Sequence, residues 1–442
     1  MTLLMRLMAI LAALCLAAAA SAESTAIVNV NVLPMTTDQI SESQTVVVTD
    51  GIIVSIGDVD DIAVPVGATV VDGTDRFLMP GLTEMHGHVT GTGSREVERL
   101  FSLFLANGVT TVRGMLGRPS HLALRTSIAS GSIFGPRLIT SGPSLNGTTV
   151  HGAADGERQV REQHAAGYDF IKIHPGLDAA EFNAIADAAN LLDMPFAGHV
   201  PVSVGVPSAL NRGIATIDHL DGYMAALLPA DRDSSGGYGG FFDVMLADQV
   251  VEERIEEIVA ATVAAGVAIV PTQSLFEHRV SSIPAEELGS RPEMRFMSAG
   301  TVRNWVRAKQ RTINERGFDS NTAARAIAIR RKLILALYQA GATLLLGSDA
   351  PQVFNVPGFS VHHELAFLVA AGMTPYQALQ SGTIAPAQFF GVDTGTVEVG
   401  KIGDLVVLDA NPLDDISNSR RVHGVLVRGK WARSSTLLGR IK

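Results

Sequence analysis

Apolar and polar positions alternate with period two at both ends of the chain and give way to a longer rhythm between them. The run AIVNVNVL at 26–33 places every second side chain on one apolar face, the pattern of a half-buried strand. TVVVT at 45–49 and IIVSI at 52–56 flank Asp50-Gly51, a pair that tolerates the left-handed backbone of a tight hairpin turn. The far end has the same texture. DLVVLD at 404–409 and VHGVLV at 422–427 read as short strands, with a turn at Arg428-Gly429-Lys430. The two ends therefore predict one small β-sandwich, built from 23–80 and 392–442.

Between them, across 81–391, strand-like and helix-like segments take turns. Strands are predicted at 82–88, 109–113, 137–141, 170–174, 196–199, 216–219, 268–271 and 343–348. Each is followed by helical periodicity, as at 178–192 and 251–265. Such units predict an α/β fold of (β/α)8, TIM-like type, a closed parallel barrel. The seventh connection, 274–342, is long and carries extra helical stretches at 297–316 and 322–339. Additions of this kind serve as lids, substrate walls or subunit contacts, so a homo-oligomer stays open. GGYGG at 236–240 predicts a mobile loop near the sixth strand.

The first 22 residues follow neither rhythm. Arg6 precedes an apolar run at 7–20, and Ala20-Ser21-Ala22 supplies the small residues of a signal-peptidase site. The run falls short of the roughly 20 apolar residues of a membrane span, which disfavours the alternative of a retained anchor. Leu14 before Cys15 is not small, which disfavours lipoprotein processing. The expected mature chain begins at Glu23 and is exported, periplasmic or extracellular, with no membrane partner after cleavage. Cys15 is the only cysteine, so the mature chain has no disulfide, thiolate ligand or thiol nucleophile.

Composition narrows the classes further. Hydrophobic residues make up 47% of the chain, enough for a large core, and the formal net charge is −10. No basic cluster could track a phosphate backbone, which argues against nucleic acid and for a small-molecule substrate.

The chemistry concentrates at predicted strand ends. PGLTEMHGH at 80–88 puts His86 and His88 two apart on one strand, so both side chains point to one face and can reach one metal. Imidazole suits zinc and its neighbours. His199 closes PFAGH, His219 closes ATIDH and Asp349 closes LLLGSD. That end of a barrel strand is where barrel enzymes build active sites. Lys172 lies in the apolar strand YDFIKIH at 168–174. A lysine pointing into a core is costly unless paired or chemically changed. Carbamylated by carbon dioxide it becomes an anion whose oxygens bridge two cations; the alternative is an ammonium paired with a carboxylate such as Asp349.

His86-x-His88, Lys172, His199, His219 and Asp349, in that order, resemble the ligand pattern of the amidohydrolase superfamily, binuclear carboxylated-lysine type. The split β-module, MPGL at 79–82 and GKIGDLVV at 400–407 are similar to that superfamily too. GVTTVR at 108–113 and AGHV at 197–200 resemble its imidazolonepropionase-like and prolidase-like branch. Gly114 departs from the pattern, since many relatives have an acidic residue there, as does Asp218, where Glu is common. Neither departure removes a ligand.

The resemblance implies two divalent ions, zinc by donor chemistry. His86, His88 and Asp349 would hold the first, His199 and His219 the second, and carboxylated Lys172 and a hydroxide would bridge them. It implies that Asp349 takes the proton of the attacking water and passes it to the leaving amine. Two further residues are candidate substrate contacts: His151, in GTTVHG at 147–152, and Tyr223, shortly after His219. His174 shares a face with Lys172 and reads as a neighbour rather than a ligand. His362-His363-Glu364 opens a helix and reads as structural. The expected function is cleavage of an amide bond in a dipeptide or N-acyl amino acid. Ester, lactone or phosphotriester hydrolysis on the same site is the enzymatic alternative, and a non-catalytic binding protein the alternative of another class.

Overall fold

A computed structural model describes residues 23–91, 93–229 and 239–441. The expected leader, 1–22, and most of the glycine-rich loop at 236–240 lie outside the described residues. The chain is α/β, with one mixed sheet and two parallel sheets.

The two chain ends do share a module. Strands β1 (Ser24–Val32), β2 (Ser41–Thr49), β3 (Ile52–Asp58), β4 (Thr69–Asp72) and β5 (Phe77–Pro80) come from the start. The last three, β13 (Leu405–Leu408), β14 (Val422–Val427) and β15 (Lys430–Arg433), come from the end. They form a single eight-stranded sheet in the order β15-β14-β13-β5-β1-β2-β3, with β4 beside β1. Antiparallel pairing of β13 with β5 and parallel pairing of β5 with β1 join both chain ends into this sheet. Asp50 (φ 49°) and Gly51 (φ 80°) make the predicted hairpin turn between β2 and β3. Period two decides the faces of β13. Leu405 and Val407 pack with Ile27, Val30 and Val48 in the module's own core, while Val406 and Leu408 join the main core.

Between the ends run β6 (Leu82–Gly87), β7 (Val109–Gly114) and β8 (Arg137–Thr140), parallel in one sheet. A second parallel sheet holds β9 (Ile171–Ile173), β10 (Phe196–Gly198), β11 (Thr216–Asp218) and β12 (Ala268–Val270). Isolated parallel bridges, Ser141 to Phe170 and Leu145 to Ile173, connect β8 to β9. The predicted eighth strand at 343–348 does not form a regular ladder. Leu344 bridges Ile269 on one side and Ala350 bridges Gly87 on the other. Between them the Leu346 amide donates to the Ser381 carbonyl of a neighbouring helix rather than to a strand.

The helices start where the local chemistry says they should. Asp178 accepts from the Glu181 amide while the Glu181 side chain accepts from the Asp178 amide, a capping box that opens Ala179–Leu191. The long seventh connection contains Gln273–Val280, Ala285–Gly289, Ala299–Ile313, capped by Ser298, and Ser320–Gln339, capped by Asp319. Its Leu275, Leu288 and Trp305 share an apolar cluster with Leu103 and Phe354. No helix of the described residues is long and apolar enough to cross a membrane.

Candidate metal centre

His86 and His88 sit where β6 ends, both buried, with ring centroids 5.4 Å apart. The His219 ring lies 4.4 Å from that of His86 and 4.5 Å from that of His199. Asp349 closes the group: its Oδ1 is 2.6 Å from His88 Nε2 and 3.7 Å from His86 Nε2, and its Oδ2 is 3.9 Å from His219 Nδ1. Ligand atoms of His86, His219 and Asp349 all lie within 4.8 Å of one another. Three strand ends and the segment before Ala350 thus bring the predicted imidazoles and carboxylate together.

Lys172 enters from β9 and is wholly buried. Its Nζ has no hydrogen-bond partner, and the nearest carboxylate is Asp218, 3.9 Å away. The carboxylate that a Lys172 ammonium would face is thus Asp218 rather than the Asp349 named above. Burial pushes the Lys172 amine down to about 8, against the pull of Asp218 and Asp349. Gly198 (φ 127°) makes room for it: a Cβ there would stand 2.9 Å from both Cδ and Nζ of Lys172 and 2.5 Å from the Ile173 carbonyl oxygen.

Backbone strain marks the same place. His219 (φ 67°), Leu220 (φ 50°), Thr272 (φ 45°) and Asp349 (φ 61°) are all left-handed. Such residues cost on the order of 1–3 kcal/mol each and persist where the surroundings over-determine them. Here the turn ends the strand and swings the side chain inward.

The environment selects the metal-binding forms of the donors. Burial drives His86 and His219 well below the ordinary histidine range, with the Lys172 charge adding to the effect on His86. Neutral imidazole is the ligating form. His86 Nδ1, His88 Nδ1, His219 Nε2 and Lys172 Nζ are buried without a hydrogen-bond partner. Unpaired buried polar groups are costly, so their presence around the His86, His219 and Asp349 cluster fits a cation.

Carboxylates and hydroxyls behind the imidazoles, overlooked in the sequence, hold them in place. Asp221 Oδ2 lies 2.8 Å from His199 Nδ1, and Thr272 Oγ1 lies 2.8 Å from His219 Nδ1. Asp218 Oδ2 lies 2.7 Å from His86 Nδ1, out of line for a hydrogen bond. Buried Arg113 donates to Asp218, 3.2 Å to each oxygen, and to the Met85 carbonyl. Glu84 accepts from the amides of His86 and Ser348 at 2.9 and 2.8 Å. The visible signal was charge inside apolar strands: Glu84 in LTEMHG, Arg113 in VTTVRG, Asp218 in TID. Asp218, noted only as a departure, is held by Arg113 and lies against His86.

Tyr223 is corrected. It is fully buried, and its hydroxyl lies 2.8 Å from Thr262 Oγ1 on the helix Ile255–Ala265. Left-handed Leu220 and Gly222 turn the chain so that the ring faces the packing layer, where burial pushes its hydroxyl upward. His151 stands on an exposed loop before Ala153–Ala166, its amide donating to Asp155. His174 stacks on His199 with centroids 5.0 Å apart, as a neighbour. His362 is structural, bonded to Ser419 and the Asn107 carbonyl, and His363 faces Glu293 at 3.3 Å. A cavity of about 750 Å³ opens beside His199, Asp221 and Phe242.

These features agree with the comparisons. Residues 77–432 match the amidohydrolase family. An ochratoxinase from Aspergillus niger is 28% identical over 372 residues, 77% of this chain and 71% of its own. Among solved structures, a bottromycin amidohydrolase is 22% identical with a TM-score of 0.69, covering 95% of this chain and 90% of its own. A Xaa-Pro dipeptidase with bound methionine in the active site is 19% identical with a TM-score of 0.66, covering 93% of this chain and all of its own (100%). With its ligand-type residues gathered at strand ends inside the matched region, the chain belongs to the amidohydrolase family and is a hydrolase acting on amide bonds.

Proposed function

We propose that this protein is an exported, two-metal amidohydrolase that cleaves an amide bond in a small peptide-like substrate. The bridges from β8 to β9, and from β12 through Leu344 and Ala350 back to β6, support a closed (β/α)8 barrel around the site. One observation carries the reading: His86, His88 and His219 crowd around Asp349, while His86 Nδ1, His88 Nδ1, His219 Nε2 and Lys172 Nζ are buried without a hydrogen-bond partner.

His86, His88 and Asp349 would hold one divalent ion and His199 and His219 the other, zinc by donor chemistry. A neutral Lys172 amine would add to carbon dioxide, forming an N–C bond as one C=O π bond opens onto oxygen and losing a proton, and the resulting anionic carbamate would help to hold the ions. Bound metals supply a water of lowered pKa and a polarised carbonyl. The chain's own residues do the rest. Asp221 and Thr272 hold the His199 and His219 rings in one orientation. Asp349 accepts the water proton at a carboxylate oxygen and delivers it to the leaving nitrogen, so the amine departs neutral.

Metal analysis combined with a hydrolysis panel tests this. About two divalent ions per chain, with turnover of dipeptides or N-acyl amino acids, is the expected result. A single ion with Lys172 in an ordinary ion pair would remove the binuclear form. Turnover of esters, lactones or phosphotriesters without amides would move the reading to the other electrophiles. Export has its own test: protein recovered from the producing cell should begin near Glu23, and an intact Met1 on soluble cytoplasmic protein would refute it.

A further inference from the structure

We propose that Asp243, in the cavity beside His199, selects substrates in which a protonated amine sits next to a bulky apolar group, as in an unblocked dipeptide with an apolar first residue. This rests on the amide-hydrolysis reading above and chooses between its two substrate types, since an N-acyl amino acid lacks that amine.

The cavity of about 750 Å³ is lined by Val206, Leu228, Phe241, Phe242, Leu246 and Ile258. Its size and apolar walls suit a small molecule with a few placed polar groups. It reaches the chemistry directly. The Phe242 ring stacks on His219 with centroids 4.9 Å apart and on His199 at 6.2 Å. A group seated against Phe242 is therefore held next to the reacting bond.

Most of the charge around this cavity is already engaged. Asp221 holds His199 at 2.8 Å. Arg254 donates to Glu257 at 3.2 Å and to the Leu228 carbonyl. Asp243 differs: no hydrogen bond reaches its carboxylate among the described residues. Burial, and then the like charge of Asp221, push it up to about 6, with Arg330 opposing. A carboxylate so placed gains from an incoming cation and loses against a neutral acyl group that leaves it unpaired. Aromatic faces add to the attraction for an ammonium.

The backbone presents this pair of side chains at a cost. Phe242 (φ 47°) and Asp243 (φ 59°) are consecutive left-handed non-glycine residues. Strain of this kind gathers at binding sites, where it holds side chains in place.

Binding and turnover test the proposal separately. In the zinc-loaded full chain, 2-phenylethylamine should bind at least about tenfold tighter than its neutral analogue 2-phenylethanol. Asp243→Asn should remove that difference and Asp243→Glu should restore it. Equal binding of amine and alcohol by the parent, or a difference that survives Asp243→Asn, would overturn the site whether or not amides are cleaved. In turnover, phenylalanyl-alanine should exceed N-acetyl-phenylalanyl-alanine by about tenfold or more in kcat/KM, with the ratio collapsing in Asp243→Asn. Equal rates on the two would overturn the selection while leaving amide hydrolysis intact. N-acetyl-lysyl-alanine carries its amine only on the side chain. A preference for it over phenylalanyl-alanine would overturn the assignment to the α-ammonium. Failure to cleave any amide would sink the underlying reading, and the binding arm would still judge Asp243.

Discussion

Asp349 is buried among the imidazoles, 2.6 Å from His88 and 3.9 Å from His219. Asp349→Asn keeps the shape and removes the proton acceptor. Hydrolysis should fall at least about 100-fold, the usual scale for a lost general base, with metal content measured on the same sample. Activity equal to the parent would remove Asp349 from the mechanism. Asp221 acts at one remove, through His199. Asp221→Asn should lower metal affinity by about 10–100-fold, the scale for losing a partner behind a ligand. Competition against a chromophoric chelator would read this, and unchanged affinity would make Asp221 a cavity wall only. The ligand-type residues were legible because each ends a strand pattern in the sequence. Their supports were not: Asp221 is 22 residues along the chain from the imidazole it holds, and only folding pairs them.

Strand ends need the elements behind them to stay put, and Glu364 shows how one does so. It lies buried on the helix Phe359–Ala370 and accepts from the amides of Gln273 and Ser274 at 2.8 and 2.6 Å. Those amides open the helix Gln273–Val280, whose own N-cap residue Thr272 makes no side-chain cap. A carboxylate from another helix thus satisfies orphan donors and faces the positive end of the dipole. Burial outweighs these bonds and holds Glu364 up to about 7. The folded protein keeps this proton through a range in which an unfolded glutamate, near 4.5, has already released it. The native state therefore binds more protons, and this contribution is complete below pH 4.5 and declines as pH rises toward 7. Denaturant midpoints across pH 5–8 should fall more steeply in the parent than in Glu364→Gln, by on the order of 2 kcal/mol over the window. Parallel curves would refute a retained proton.

At the scale of the molecule, metal and fold should stabilise each other. The unpartnered nitrogens of His86, His88, His219 and Lys172 come from distant parts of the chain, so an ion that pairs them binds the folded state and not the unfolded one. Stripping with a chelator should lower the melting temperature by at least a few degrees, and zinc should restore it. Scanning calorimetry of stripped and reloaded protein would show it; identical melting would mean that no ion links these groups. The module from the two chain ends belongs to the same economy of burial. Its alternating strands cover one face with their own core and lend Val406, Leu408, Val425 and Val427 to the main one.

Local pattern was sufficient for some of this protein. Period two placed the terminal strands, Asp50-Gly51 placed their hairpin, and repeated strand-helix units placed the parallel strands on which His86, His88, Lys172, His199 and His219 stand. These are properties of a few neighbouring residues, and short-range sterics and burial settle them. Other features depended on groups far apart in the chain. The eighth segment bonds to Ile269 on one side and to Met85 and His86 on the other, while its Leu346 amide donates to the Ser381 carbonyl. The two chain ends were joined into one sheet by the pairing of β13 with β5. Tyr223, read as a substrate contact, turned inward to Thr262. Arg113, Asp218 and Glu84 gained their roles only when strands distant in sequence closed around them and left each charge no water to face. Desolvation acts on what the finished fold surrounds, so it decided those partners where sequence spacing could not.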